Sequence, residues 1–361
     1  MKNLDIVGCG QIGHQIATRL LSKNYNLRIF ESTSRAQFAQ KPWGWIRRVT
    51  LQQKKRYKTP LQTLSLPPEF VKKGPMLITT NEIERKKQWE YWLQTTNTNA
   101  RILSKEEGSE QFNIDDKFQL LCDSRDFLFD FQSYKEKQSN TLKQKTEWND
   151  NFPIVDLHWK NENIVGIEDS EGNIIPIHGK ILFCLGNETR KFLRTPTLGI
   201  TMAFQCVDPI DNPPFIACWR DKSSIQHFPS YTKIGCGMQG KISYLPSFQF
   251  LPLFFPFLKK SNYSFLRTTH SHIQQARNQM SCFPLSHSPI EECTVDVTPN
   301  FLPIVHCVGN AVFVYGMSGS GFTAFEPWFQ DLIINTLEHG KEYPNPFSLR
   351  HCSSPEVSFL Y

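Results

Sequence analysis

A glycine-rich turn between two apolar segments lies within the first 31 residues. Gly8, Gly10 and Gly13 have the spacing G-x-G-x-x-G, and Glu31 follows 18 residues after the last of them. The apolar run before the turn predicts a strand, and residues 11–23 have the apolar spacing of a helix. The sequence therefore predicts a strand–turn–helix–strand unit that binds the pyrophosphate of a dinucleotide at the helix N-terminus.

Each glycine of this turn has a mechanical role. Gly8 makes the tight turn after the strand, and Gly10 lets a pyrophosphate approach the backbone because it has no Cβ. Gly13 lets the helix lie close to the strand. Glu31 ends the second strand, where its carboxylate can accept hydrogen bonds from ribose hydroxyls.

Composition narrows the class of protein. A chain of 361 residues is long enough for two domains, and its net charge of +6 is mild, so we expect no nucleic-acid partner. The ten cysteines occur singly, without a C-x-x-C pair, which is typical of reduced thiols. The glycine motif occupies the positions where a secretory signal peptide would have its charged and apolar regions, so we expect no signal peptide. We therefore expect a cytoplasmic protein, with a peripheral location at the inner face of a membrane as the open alternative.

Three later segments have recognisable patterns. Residues 82–97 are predicted to form an amphipathic helix, residues 101–150 a polar helical stretch, and residues 153–184 a series of short strands. Residues 246–258 are aromatic, contain three prolines and precede two lysines. That segment could be a peripheral contact with a membrane or an electron acceptor, or a packing or association surface, and its composition favours packing.

A second glycine-rich turn lies near the C-terminus. The apolar run 311–315 is followed by Gly316, Gly319 and Gly321, then by a helical pattern that continues to Leu337. This pattern predicts a strand, a turn and a helix whose N-terminus can stabilise negative charge. The alternative is an ordinary strand–helix turn that uses glycine for its backbone conformation.

Taken together, the motifs at both ends of the chain resemble those of the FAD-dependent D-amino-acid oxidase superfamily, which includes glycine oxidase, sarcosine oxidase and D-amino-acid dehydrogenase. Besides the first turn, the run 183–187 resembles the family's strand that ends in a glycine near the FAD. The segment 298–303 resembles its T-P-D-G-x-P motif, and the turn 316–322 resembles its G-x-x-G-x-G motif. The order of the four motifs matches the family over the whole chain.

The resemblance implies an α/β fold with a Rossmann-like FAD-binding domain and a second, antiparallel-sheet substrate domain. Residues 1–81, 151–199 and 291–361 would form the first domain, and residues 82–150 and 200–290 the second. The cofactor would be FAD, bound by Gly8, Gly10, Ile12, Gly13, Glu31, Ser32, Val155, Gly186, Cys293, Gly316, Gly319, Ser320, Gly321 and Phe322.

The implied reaction is oxidation of the C–N bond of a small amine or amino acid, by hydride transfer to flavin N5. The chain could be an oxidase or a dehydrogenase. Two other functions stay open: an FAD-binding protein with lost or redirected chemistry, and an FAD enzyme that acts on an amine carried by a macromolecule. The sequence does not indicate the oligomeric state.

The family's familiar substrate anchors are missing from this chain. The arginine that glycine oxidases carry three residues before the threonine of the T-P-D motif is Val295 here, and the lysine of sarcosine oxidases is Thr323. Arg47 and Arg48 are the best replacements, because sarcosine oxidases have arginines in the corresponding loop. Arg220 and Arg267 are weaker candidates.

One cysteine and a pair of histidines could have further roles. Cys293 has the spacing of the cysteine that binds the flavin covalently in sarcosine oxidases, but a buried strand cysteine is the favoured interpretation. His270 and His272 have no third ligand in view, so we expect no metal site.

Overall fold

The computed structural model describes most of the chain, and the residues it describes are 2–32, 43–46, 67–73, 76–80, 83–95, 100–112, 119–123, 127–209, 211, 215–218, 224–235, 241–254, 289–299, 302–318 and 326–349. The described helices α1 to α5 span Gln11–Leu21, Ile83–Thr95, Lys105–Phe112, Phe131–Lys145 and Pro327–His339. The predicted strand–turn–helix–strand at the start of the chain is present.

Strands β1 to β13 span Lys2–Val7, Tyr25–Glu31, Trp43–Ile46, Val71–Lys73, Met76–Thr80, Ala100–Leu103, Gln119–Asp123, Phe127–Asp130, Glu147–Asp150, Ile154–Lys160, Asn163–Asp169, Ile174–Pro176 and Lys180–Phe183. Strands β14 to β21 span Leu198–Val207, Phe215–Cys218, Ser224–Phe228, Tyr231–Gly235, Lys241–Tyr244, Ile290–Val297, Ile304–Val308 and Ala311–Tyr315.

A six-stranded sheet contains both ends of the chain, in the order β20-β21-β13-β1-β2-β9. All neighbouring pairs in it are parallel except β20 with β21. Neighbouring parallel strands must be joined by a crossover connection, which usually contains a helix. Helix α1 lies in the connection that leads into β2, and α4 lies in the connection that leads into β9. Strand β21 is apolar and buried along its whole length, as is typical of a strand that is covered on both faces. Phe313 of this strand stacks on Phe183 of β13 at 4.4 Å between ring centroids.

The second large sheet is mostly antiparallel. It contains nine strands in the order β18-β14-β17-β16-β15-β5-β7-β6, with β19 also paired to β14. Strands β10 to β12 and strands β3, β4 and β8 form two smaller sheets. The mixed α/β class is thus confirmed, with one sheet built on parallel strands and another on antiparallel ones.

The division into domains stays a prediction, and several elements pair across the predicted boundaries. Strands β5 and β19 belong to the nine-stranded sheet, whereas α4 and β9 belong with the six-stranded one. The segment 101–150 also differs from the expected helical stretch, since it contains four strands besides α3 and α4. Each of these strands has only four or five residues, so its pairing depends on distant neighbours rather than on local pattern.

Candidate dinucleotide and substrate site

Four of the predicted motifs meet at one edge of the six-stranded sheet. The glycine turns follow the carboxyl ends of β1 and β21, Glu31 is the last residue of β2, and Gly186 follows β13. The carboxyl ends of parallel strands lie at the same edge of the sheet. Strand β1 lies between β2 and β13, and the chain leaves β1 and β13 towards opposite sides of the sheet. Ligands of open α/β sheets bind in the crevice at such a point.

The first glycine turn has the geometry that a pyrophosphate requires. Gly8 has φ +84°, and a Cβ on Gly13 would lie 2.2 Å from the Gly8 carbonyl oxygen. The helix therefore begins in direct contact with the strand end. A Cβ on Gly10, in contrast, would meet nothing within 4 Å in the described structure. The backbone at Gly10 is thus open on the side where a ligand would approach the N-terminus of α1.

Local electrostatics at this turn favour an anion. The first turn of α1 contains no acidic residue. No negative side chain of that turn therefore opposes the positive end of the helix dipole or binds the free N–H groups. His14 lies beneath the turn, with its Nδ1 2.9 Å from the Gly10 carbonyl oxygen and its Nε2 2.7 Å from Ser139 Oγ. Burial lowers the pKa of His14 to about 4, so the ring is neutral and positions the turn without charge.

Glu31 points back at the turn. The Cys9 backbone N–H donates to Glu31 Oε2, and the Phe152 N–H donates to the Glu31 carbonyl oxygen. Burial raises the pKa of this carboxyl above its ordinary value, while the bond from Cys9 opposes that shift. The position fits acceptance of ribose hydroxyls, as the sequence predicts. Ser32 follows directly and is half-buried.

The C-terminal motif is tied to the nine-stranded sheet. The Ser318 N–H donates to the Asp296 carbonyl oxygen at 3.1 Å, and the Thr298 N–H donates to Ser318 Oγ at 3.0 Å. A Cβ on Gly316 would lie 2.5 Å from Thr298 Cγ2, so only glycine lets the two segments approach this closely. The T-P-D-like segment and the glycine turn are therefore brought together.

Several predicted residues lie elsewhere or outside the described ranges. Cys293 is buried in β19 opposite Met202, and Val155 is 52% exposed on β10. Arg47, Arg48, Gly319, Ser320, Gly321 and Phe322, together with Thr323, Arg220, Arg267, His270 and His272, are outside the described residues. Gly186 is exposed just after β13. Within the ranges described above, no group of three His, Cys, Asp or Glu side chains could hold a metal.

The aromatic segment 246–258 is described as far as residue 254. Phe254 is buried against Leu198, Ile200 and Val297, whereas Phe248 is 89% exposed. The described part of the segment therefore packs into the core at Phe254, and a contact with a membrane or an electron acceptor stays a prediction. Among the helices that the structure describes, none is long and apolar enough to cross a membrane.

Sequence reasoning missed an unusual carboxyl group. Asp296 is 7% exposed, and neither of its carboxyl oxygens has a hydrogen-bond partner among the described residues. Burial raises its pKa to about 7, opposed by the charge of Arg190 and reinforced by Glu188. A buried, unpartnered carboxyl is rare because it is costly, and such groups concentrate at functional sites. In the sequence, the only indication of a role for Asp296 is its position two residues before Thr298, the first residue of the T-P-D-like segment.

Comparison with known structures shows which fold this is. No model of a protein family matches the chain, and no curated protein matches it in sequence. A modified fructosyl peptide oxidase from Aspergillus nidulans aligns over 98% of this chain and 94% of its own, with TM-score 0.72 and 13% identity. The L-proline dehydrogenase from P. horikoshii aligns over 98% and 99%, with TM-score 0.63 and 16% identity.

A third similar structure is the L-amino acid deaminase from Proteus myxofaciens in complex with anthranilate. It aligns over 97% of this chain and 93% of its own, with TM-score 0.69 and 14% identity. The chain therefore has the fold of these three enzymes along nearly its whole length. This agrees with the fold that the sequence resemblance implies.

Proposed function

We propose that this protein is an FAD-dependent oxidoreductase that oxidises the C–N bond of a small amine or amino acid. The observation that carries the proposal is the first glycine turn. It lies at the switch point of the parallel sheet, is open at Gly10 and is faced by Glu31. The three similar enzymes are named for fructosyl peptides, L-proline and L-amino acids, and all of those substrates contain an amine nitrogen.

The residues around the turn fit a bound FAD. The N–H groups that open α1 would hold the pyrophosphate, and Glu31 would accept hydrogen bonds from a ribose. Gly186 and Gly316 lie at the same sheet edge, and together with the residues that follow Gly316 they would complete the site. Ile12, Ser32, Val155 and Cys293 remain proposed cofactor contacts, as do the residues 319–322.

The cofactor, when bound, accepts the hydride from the carbon next to the substrate nitrogen. The chain's own residues bind and orient the cofactor and the substrate and exclude water from them. The neutral His14 holds the Gly10 carbonyl in place, and the bonds joining Asp296, Thr298 and Ser318 hold the nine-stranded sheet against the C-terminal turn. Strand β19 is therefore joined to the start of the C-terminal turn, which we propose completes the cofactor site.

Anaerobic reduction of the FAD-loaded protein tests this function without reference to the electron acceptor. We expect flavin absorbance to bleach with at least one member of a panel of D- and L-amino acids, glycine, N-methyl amino acids and simple amines. A fully loaded protein that stays oxidised with every compound would contradict amine oxidation. It would instead support redirected chemistry, for which Val295 in place of the usual arginine is the motivating observation.

A further inference from the structure

A lysine of helix α4 lies near the first glycine turn without a bonded partner. Lys135 is half-buried in the second turn of α4, and it forms no hydrogen bond or ion pair with any residue that the structure describes. Its charge nevertheless acts on Cys9, on His14 and on Glu31. A half-buried cation without a counter-charge is costly, so an anion bound at this place would stabilise it.

The direction of α4 brings its first turns to the edge of the sheet that carries the glycine turn. Strand β9 is parallel to β2, so its carboxyl end lies at that edge and its first residue lies at the opposite one. Helix α4 leads directly into β9 and therefore runs back along the sheet, away from the glycine turn. Helices α1 and α4 thus both begin at the proposed cofactor site.

Side-chain hydrogen bonds join α4 to α1 and fix the face on which Lys135 lies. The bonded pairs are His14 with Ser139 at 2.7 Å, Thr18 with Gln138 at 2.9 Å and Gln15 with Tyr134 at 3.2 Å. Lys135 precedes Ser139 by one turn, so the two share a face of α4. Because helical side chains lean towards the N-terminus, the lysine stem extends from this interface towards the glycine turn.

A diphosphate at this turn would need a full positive charge nearby. Glu31 already places a carboxyl group there, and its Oε2 accepts the Cys9 N–H. Burial raises the pKa of Glu31, the Cys9 N–H and the charge of Lys135 lower it, and the charge of Asp150 raises it. An ionised Glu31 would repel a diphosphate, and the N–H groups that open α1 supply only partial charges. Lys135 is placed to compensate this repulsion.

We propose that Lys135 binds the diphosphate of the dinucleotide, as a cation that α4 adds to the site opened by the glycine turn. An ammonium group has three donors and acts on a phosphate as a point charge. Neither the glycine motifs nor Glu31 provides such a charge. This inference rests on the proposed function for the identity of the cofactor, and it names a binding residue that lies outside every motif predicted from the sequence.

Titration of the apoprotein with FAD tests this assignment without any turnover. Lys135→Met keeps most of the length of the side chain and removes its charge. We expect it to weaken FAD binding roughly ten- to fiftyfold in dilute buffer, because a charged hydrogen bond to phosphate is lost. The difference from wild type should shrink as salt is added, since salt screens the lysine charge. Lys135→Arg should retain most of the affinity.

Lys137→Met is the matched control, because it removes a cation from the same helix. Lys137 is exposed and pairs with Glu69 at 2.8 Å. Its replacement should leave FAD affinity unchanged, although it alters the net charge of the protein by the same amount. Urea unfolding of the apoproteins checks that both variants are folded. No loss of affinity in Lys135→Met, or an equal loss in Lys137→Met, would overturn the assignment.

The pH dependence of FAD binding distinguishes a contact with phosphate from an effect exerted through Glu31. A lysine that binds the diphosphate should give the same loss in Lys135→Met at pH 6, 7 and 8, where the diphosphate keeps its charge. A lysine that only kept Glu31 ionised should give a loss that grows as the pH falls, because the pKa of Glu31 rises without this cation. A loss confined to low pH would therefore contradict the direct contact.

Failure of this inference and failure of the proposed function give different results. If no compound reduces the flavin but Lys135→Met alone weakens FAD binding, amine oxidation fails and the role of Lys135 stands. If amines or amino acids reduce the flavin but Lys135→Met binds FAD as wild type does, the role of Lys135 fails alone.

Discussion

Gly10→Ala should weaken FAD binding by at least about a hundredfold, close to 2.7 kcal/mol, while leaving the stability of the apoprotein almost unchanged. The added Cβ meets no atom of the described residues within 4 Å, and the backbone at Gly10 (φ −68°) accommodates alanine. The methyl group would instead occupy the space in front of the α1 N-terminus that the pyrophosphate needs. Titration of apoprotein with FAD and urea unfolding of the apoprotein measure the two effects.

Gly13→Ala provides the contrast. Its Cβ would lie 2.2 Å from the Gly8 carbonyl oxygen, so the helix must move away from the strand. We expect a loss of about 1–3 kcal/mol in the free energy of unfolding together with loss of FAD. Gly179→Ala is the control, since among the described residues its Cβ would meet only Asn3 O at 3.4 Å, and Gly179 precedes β13 at the opposite end of the sheet from the turn. Tight FAD binding by Gly10→Ala would refute the proposed pyrophosphate position.

Asp296→Asn should make the protein more stable, and the gain should grow by about 3 kcal/mol from pH 5 to pH 8. The pKa of Asp296 rises from 3.8 to about 7 on folding, and each pKa unit corresponds to about 1.4 kcal/mol. Because the folded pKa is the higher one, Asp296 costs the wild-type protein no stability below pH 3.8, and this cost grows as the pH rises from 3.8 towards 7. Asparagine removes the buried charge and so removes that loss.

Urea unfolding of apoprotein at pH 5, 6, 7 and 8 measures this difference between variant and wild type. Asp208→Asn serves as the control, because Asp208 is an exposed carboxyl just after β14. Its stability difference should stay the same across the range. A gain in the free energy of unfolding of Asp296→Asn that does not vary with pH would show that folding does not raise the pKa of this carboxyl.

The amino-terminal unit could be predicted because its signals are local. The spacing of Gly8, Gly10 and Gly13 and the position of Glu31 follow from one turn, one helix and the next strand. Residues 83–95 likewise form the expected helix, with Trp89 buried. Such elements depend on side chains only a few positions apart, so their pattern is visible in the sequence alone.

The group of side chains around Asp296 could not be predicted in the same way. Asp296 and Tyr244 share a face only because β18 and β19 both pair with β14, in a register that joins residues about 50 to 100 positions apart. Nothing in the sequence near Arg190 indicates that it stacks on Tyr244. Strand β9 could not be predicted either, because its residues Glu147–Asp150 are polar. It joins the parallel sheet through its pairing with β2, which the local sequence does not indicate.

The most direct test of amine oxidation is the anaerobic rate of flavin reduction by one amino acid in two isotopic forms, with hydrogen or deuterium on the carbon that bears the nitrogen. Hydride transfer breaks that C–H bond during reduction. We therefore predict that deuterium slows bleaching severalfold and that the amino acid is converted to its imine hydrolysis product. Equal rates for the two forms, without loss of the amino acid, would contradict the account.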